Sequence, residues 1–179
     1  DTNNQNADPL NITGFGPNGT DQTFTIAGQG TVSLNAGVVT FTPALNFAGN
    51  FVFQYGLTND GTGTQKDFGL VTIAVNPVND APTAQPGSTS TNEDVFVDID
   101  LRTLVSDIET PVANLTFTFN NVVNGSVQIL NGHTARFTPA GNFNGVGSFS
   151  YTVTDAGQGA SAALSASNTV TITFNPVND

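Results

Sequence analysis

An all-β fold, arranged as two tandem antiparallel β-sandwich domains of Ig-like or cadherin-like layout with about seven strands each, is predicted for this 179-residue chain. Three observations predict it. Apolar residues alternate with polar ones or Thr at period two, the signature of half-buried strands. Turn dipeptides punctuate these runs at Asn18-Gly19, Asp60-Gly61, Asn124-Gly125 and Asn131-Gly132. One long pattern also occurs twice. No segment carries a sustained helical stripe.

The runs, in order, are VTFTPA (39–44), FVFQYGLT (51–58), LVTIAVN (70–76), VFVDIDL (95–101), LTFTFNNV (115–122), SVQIL (126–130), TARFTP (134–139), SFSYTVT (148–154) and TVTITFN (169–175). Thr, Val, Phe and Ile dominate them, as a pleated, half-buried surface prefers. Between runs, FTPALNFAG (41–49) and FTPAGNFNG (137–145) have the form of a fixed corner. Proline ends the strand, Phe47 and Phe143 can plug the sandwich end, and Gly49 and Gly145 permit a turn. This is a packing motif and carries no chemistry of its own.

The repeat sets the domain count. Phe41, Thr42, Pro43, Ala44, Asn46, Phe47, Gly49, Phe53, Tyr55, Thr58 and Gly61 each recur 96 positions later, as Phe137 through Gly157. VTIAVNPVND (71–80) recurs 99 positions later as VTITFNPVND (170–179), after a longer loop. Two copies of one domain follow, a first over residues 1–79 and a second over 80–179. In the first copy, PLNITGF (9–15) aligns with NLTFTFN (114–120), and Asp1 falls near Asp107. Nothing in it corresponds to residues 83–106, which include the run EDVFVDIDL taken as an opening strand. Either the sequence begins inside a repeat, or the first copy borrows a strand from another chain.

Composition narrows the function. Fourteen acidic residues against three basic ones give a formal net charge of -11. Such a chain repels nucleic acid and anionic membrane surfaces, and suits divalent cations. Only 9% of residues are charged, so solubility rests on Asn, Thr, Ser, Gln and Gly, while 14 Phe supply a core. The absence of Cys removes disulfides and thiolate metal sites, and no apolar run reaches membrane length. His133 is the one histidine, placed in the hairpin LNGHTARF as an exposed turn residue. With no Cys and no second His, a Cys-His dyad and an ordinary zinc site are excluded. No nucleophile-elbow motif surrounds any Ser, and no helix or Lys follows the Gly-rich GFGPNG (14–19). The expectation is a protein that is not an enzyme.

A family resemblance now becomes visible. NPVNDAP (76–82), Glu93-Asp94, LVSDIE (104–109), FTPAGNFNG and SFSYTVTDAGQG together resemble the cadherin-like tandem repeats of giant bacterial surface proteins, including repeats-in-toxin type adhesins. The resemblance covers nearly the whole chain. It implies an extracellular, cell-surface or secreted location and end-to-end stacking with neighbouring repeats of the same polypeptide. It also implies a role as a calcium-stiffened spacer that holds a binding tip away from the cell.

Calcium takes six to eight oxygens from carboxylates, amide and backbone carbonyls, and water. In the second copy the resemblance points to three groups converging on one pole. These are Asn79 and Asp80 from the linker, Asp107 and Glu109 two residues apart, and Asp155 after the Thr-Val-Thr run. Glu93 and Asp94 stand where cadherins keep a Glu that serves the other junction or flanks the linker, and rank lower. Asp1, Asn3 and Asp60 form a partial equivalent on the first copy, and Asn178 and Asp179 would begin a further junction. The Leu-Asp-Arg-Glu motif of true cadherins is absent, so one calcium ion or two are expected rather than three.

Two rival functions have sequence discriminators. A carbohydrate-binding module would present aromatics to sugar. This chain has no Trp, and its only tyrosines, Tyr55 and Tyr151, recur at equivalent strand positions, which favours core use. A strand-exchanging filament subunit would explain the missing segment of the first copy.

Overall fold

The computed structural model describes residues 11–58 and 66–178. The chain divides into two compact units, Asp1–Pro77 and Val78–Asp179. Each has its own hydrophobic core.

Unit 1 contains β1 (Asn11–Phe15), β2 (Thr23–Ile26), β3 (Gly30–Asn35), β4 (Val38–Pro43), β5 (Gly49–Thr58) and β6 (Lys66–Val75). They form two three-stranded sheets, β1-β5-β6 and β2-β3-β4. The core is small: Phe15, Val32, Phe51 and Phe53 are buried, with Phe15 and Phe53 meeting edge to face at 5.4 Å. The short strand TFTI of β2 pairs with β3 and has no counterpart in unit 2, where only Asn124 separates the equivalent neighbours.

Unit 2 contains β7 (Thr83–Ala84), β8 (Gly87–Asn92), β9 (Val97–Asp100), β10 (Val105–Ser106), β11 (Thr116–Val123), β12 (Gly125–Leu130), β13 (Thr134–Pro139), β14 (Gly145–Thr154) and β15 (Ser165–Asn175). The sheets are β11-β14-β15-β8 and β12-β13-β9, with β7 and β10 as a two-residue pair. Along β14 alternation does the work: Gly147, Phe149, Tyr151 and Val153 point inward. They meet Val170, Ile172 and Phe174 of β15. Hydroxyls line the other face, where Thr152 pairs with Ser167 at 2.8 Å and Thr154 with Ser165 at 2.8 Å.

The antiparallel sandwich has one parallel element. β8 runs parallel to β15, from Gly87 opposite Val170 to Asn92 opposite Asn175. The first strand of unit 2 longer than the two-residue β7 is therefore GSTSTN and not EDVFVDIDL. In the latter run only Val97–Asp100 is strand, while Val95 and Phe96 are about half exposed, and Arg136 sits 4.0 Å over the Phe96 ring. A 3-10 turn, Leu101–Leu104, follows, with Asp100 as its N-cap accepting from the Arg102 N–H at 3.1 Å.

The corner motif has the same construction twice. Asn46 and Asn142 adopt φ of 59° and 56°, and Gly49 and Gly145 adopt 131° and 126°. The N–H of Phe47 donates to Ala44, and that of Phe143 to Ala140. Both Phe rings then fold onto their own unit's core. Left-handed φ explains why Asn and Gly stand at these positions.

Candidate cation-binding site

Three segments meet at the pole where the chain enters unit 2. The first is Asn79-Asp80, the second is the turn after β10, and the third is the loop between β14 and β15. Each is fixed by short polar geometry. Asp107 Oδ1 accepts from the N–H groups of Glu109 (3.0 Å) and Thr110 (2.6 Å), an Asx turn that folds the loop back. Glu109 Oε2 accepts from the Asp80 N–H at 3.2 Å, tying that loop to the linker. The Asn79 Nδ2 donates to Asp155 Oδ2 at 2.9 Å and to the Ala162 carbonyl at 3.3 Å, tying the linker to the third segment. The buried Thr110 hydroxyl accepts from the Ala156 N–H at 3.4 Å and closes the circuit.

Asp155 is the hub of the third segment. It is 5% exposed, and its Oδ1 accepts from the N–H groups of Gly157 (2.7 Å) and Leu164 (3.0 Å) while Oδ2 takes the Asn79 amide. Burial pushes its carboxyl pKa up, but the donors from Leu164, Asn79 and Gly157 together outweigh that and hold it below 3.8. A depressed folded-state pKa contributes stability that is fully present above 3.8 and is lost as pH falls through the lower folded value. Acid titration of the folded chain should therefore loosen this loop only below about pH 4. The amide signals of Gly157 and Leu164 read that event in a series of NMR spectra, and the loop stays intact at pH 5.

Because Nδ2 faces two acceptors, the orientation of the Asn79 amide is fixed, and its Oδ1 is aimed elsewhere. That oxygen and Asp107 Oδ2 are buried side-chain atoms with no hydrogen-bond partner. A buried acceptor left without a partner costs about 1–3 kcal/mol, and native folds contain few. Two on neighbouring segments of one pole mark a place for a donor or a cation. Among the described residues no three Asp, Glu, His or Cys side chains group as a metal site by themselves. A donor set here must therefore include the Asn79 amide oxygen, backbone carbonyls or water.

The structure thus places Asn79, Asp80, Asp107, Glu109 and Asp155 on one pole. Glu93 and Asp94 lie at the other end of unit 2. There Glu93, 7% exposed, accepts from the Val177 N–H at 2.6 Å, and Asp94 accepts from the Asn142 N–H at 2.8 Å. They clasp the exit of β15 and the second corner motif. Asp1, Asn3, Asp60 and Asp179 lie outside the described residues. Sequence reasoning did not single out Thr110 or the Ala162 carbonyl, because neither belongs to an acidic motif. His133 is half-buried rather than exposed: its carbonyl accepts from the Leu101 N–H at 3.1 Å within a tight turn. Tyr151 is fully buried and its O–H donates to the Gln85 carbonyl at 2.7 Å, and Tyr55 is half-buried against the unit 1 core. Both tyrosines serve their cores. Among the described residues no helix is long and apolar enough to cross a membrane.

No curated protein sequence matches the chain. Among solved structures it is similar to human protocadherin-24 EC1-2, at TM-score 0.56 and 16% identity, covering 97% of this chain and 85% of that one. It is also similar to PcdhgB3 EC1-4, at TM-score 0.55 and 13% identity, covering 94% and 40%. These likenesses concern the fold alone. A family 107 glycoside hydrolase, the endo-fucoidan hydrolase MfFcnA4, aligns at TM-score 0.42 and 15% identity over 95% of this chain. The chain spans only 24% of that hydrolase's length, a likeness too loose to bear on activity. A family described as bacterial Ig domain matches residues 79–175, more than half of the sequence and nearly all of unit 2. Sandwich topology, twofold repeat and family match agree, and the chain belongs to the bacterial Ig domain family.

Proposed function

We propose that this chain is a non-catalytic spacer segment of an extracellular bacterial surface protein of adhesin type, whose tandem modules are stabilised by calcium. The ion would be held at the entry pole of unit 2. Asn79 Oδ1, Asp107 Oδ2 and the Glu109 carboxylate would supply oxygens, and Asp80 stands exposed beside them. Asp155, already accepting three N–H groups, acts through Asn79 by turning its amide oxygen toward the ion.

The observation that carries this reading is the pair of buried, partnerless oxygens, Asn79 Oδ1 and Asp107 Oδ2. Electrostatics support it. Asp80, Asp107, Glu109 and Asp155 stand at one pole of a chain with a formal net charge of -11, a setting that attracts a divalent cation. Calcium suits the mixed donor set better than magnesium, which demands octahedral geometry and keeps its water. Tyr151 is buried and the sequence has no Trp, so neither gives sugar a stacking face in unit 2.

Thermal unfolding in millimolar calcium, in magnesium and in excess chelator tests it. A ligand bound only by the folded state adds about 2.7 kcal/mol at a hundredfold excess over Kd. Calcium alone should raise the melting temperature of unit 2 by several degrees. Asp107→Asn, which keeps the Asx-turn acceptor but removes the charge, should abolish most of that rise. An identical melting curve in calcium and chelator would reject the calcium site and leave the acidic residues as loop caps.

A further inference from the structure

Asn-Gly occurs at Asn18-Gly19, Asn124-Gly125, Asn131-Gly132 and Asn144-Gly145. The pair carries latent chemistry as well as a turn preference. The backbone nitrogen of the glycine can attack the asparagine side-chain carbonyl, because glycine has no Cβ to block the approach. A C–N bond forms to Cγ, the Cγ–Nδ2 bond breaks, and the proton of the attacking nitrogen leaves with Nδ2 as ammonia. Water then opens the resulting succinimide at either carbonyl, giving aspartate or isoaspartate. The backbone nitrogen must shed its proton and the side chain must swing onto it, so a hydrogen bond at either group suppresses the step.

The fold restrains three of these pairs. The Gly19 N–H donates to the Gly16 carbonyl at 3.0 Å, and Gly19 is buried, with space for a Cβ closed off by the Gly56 Cα at 2.8 Å. Asn124 Nδ2 donates to the Val146 carbonyl at 2.9 Å, which pins the leaving group. Gly145 opens β14 opposite Phe174 of β15, so its peptide is held by the sheet.

Asn131-Gly132 differs on each count. It forms the tip of the β12–β13 hairpin, with φ of 52° and 76°, and both residues are exposed. Among the described residues neither the Asn131 amide nor the Gly132 N–H has a hydrogen-bond partner. A Cβ built on Gly132 would meet nothing within 4 Å. The turn is closed one residue later, where the His133 N–H donates to the Leu130 carbonyl at 3.2 Å, so ring closure breaks no bond at the reacting nitrogen. We propose that Asn131 is a site of spontaneous deamidation in the folded chain, converted ahead of the other three. The product adds one negative charge at the hairpin tip. It does so in the wall of a cleft of about 380 Å³, whose lining also includes Asn114, Thr116 and His133. Isoaspartate, in addition, lengthens the backbone of the turn by a carbon.

The test is prolonged incubation of the full chain at mildly alkaline pH, once folded and once in urea, followed by cleavage after arginine and mass spectrometry. The peptide of residues 103–136 carries both Asn124 and Asn131, and its fragmentation distinguishes them. In the folded chain Asn131 should convert at least about tenfold faster than Asn18, Asn124 or Asn144, a barrier lower by about 1.4 kcal/mol. In urea the four rates should converge. Asn131→Gln, which would need a larger ring, should abolish conversion at that position and leave the other three unchanged. Conversion of Asn131 no faster than the others in the folded chain would overturn the proposal, as would an earlier conversion at any of the three. A lead of the same size in urea would trace it to neighbouring residues instead of the hairpin and overturn it equally.

Discussion

Phe149→Ala is expected to destabilise unit 2 by about 3–5 kcal/mol, the usual cost of emptying a buried aromatic site. The ring is fully buried on β14. It meets Phe119 edge to face at 5.5 Å and stacks with Phe137 at 6.1 Å, and Phe137 in turn stacks with Phe174 at 5.7 Å. Truncation therefore removes the middle of an aromatic row spanning both sheets, and strands on two sides cannot close the gap together. For a unit of this size the melting temperature should fall by more than about 12 °C. The control is Leu70→Ala, at a side chain 72% exposed, which should change stability by no more than about 0.5 kcal/mol. Urea unfolding of both variants reads the comparison. A Phe149→Ala loss below about 1 kcal/mol would mean that the aromatic row is not the main support of this sandwich.

Asp155→Ala should cost about 2–5 kcal/mol by a different mechanism. The carboxylate accepts from Gly157, Leu164 and Asn79, so its removal leaves two backbone N–H groups and one amide without their acceptor. Each orphaned buried donor costs about 1–3 kcal/mol, partly recovered where water reaches it. Asp155→Asn keeps one acceptor oxygen and should lose less than half as much. The loss is present in chelator, because it is internal to the loop. The proposed calcium site should weaken too, because the Asn79 amide would be free to turn. Unfolding curves measured with and without calcium separate the two effects. An Asp155→Ala loss seen only in calcium would make the side chain a direct ligand instead of a support for Asn79.

How much of this was legible in the sequence depended on what carried each feature. The twofold repeat, the corners at Asn46 and Asn142, and the strands with alternating Phe and Val were readable because side chains specify them. β8 was not. Its residues GSTSTN contain nothing apolar, and it is a strand because the β15 backbone pairs with it and Leu104 needs a small neighbour at Gly87. β2 and the two-residue β7 and β10 were missed for a related reason: tertiary pairing makes them, not a local pattern. EDVFVDIDL looked like one strand, yet its first apolar residues, Val95 and Phe96, stay outside it. At the candidate site the acidic residues were visible by type. Sequence could not show that Asp155 is saturated by N–H donors while Asn79 and Asp107 each keep an oxygen without a partner.

The parallel pairing of β8 with β15 has a mechanical consequence. These two strands lie next to the points where the chain enters and leaves unit 2, and they run in the same direction. A pull that draws those two points apart slides one strand along the other. The six paired positions, Val170–Asn175 against Gly87–Asn92, then bear the load together instead of opening one rung at a time. Glu93, holding the Val177 N–H just past the last rung, extends the loaded seam by one contact. A module wired in this way resists tension along its seam far more than peeling across it.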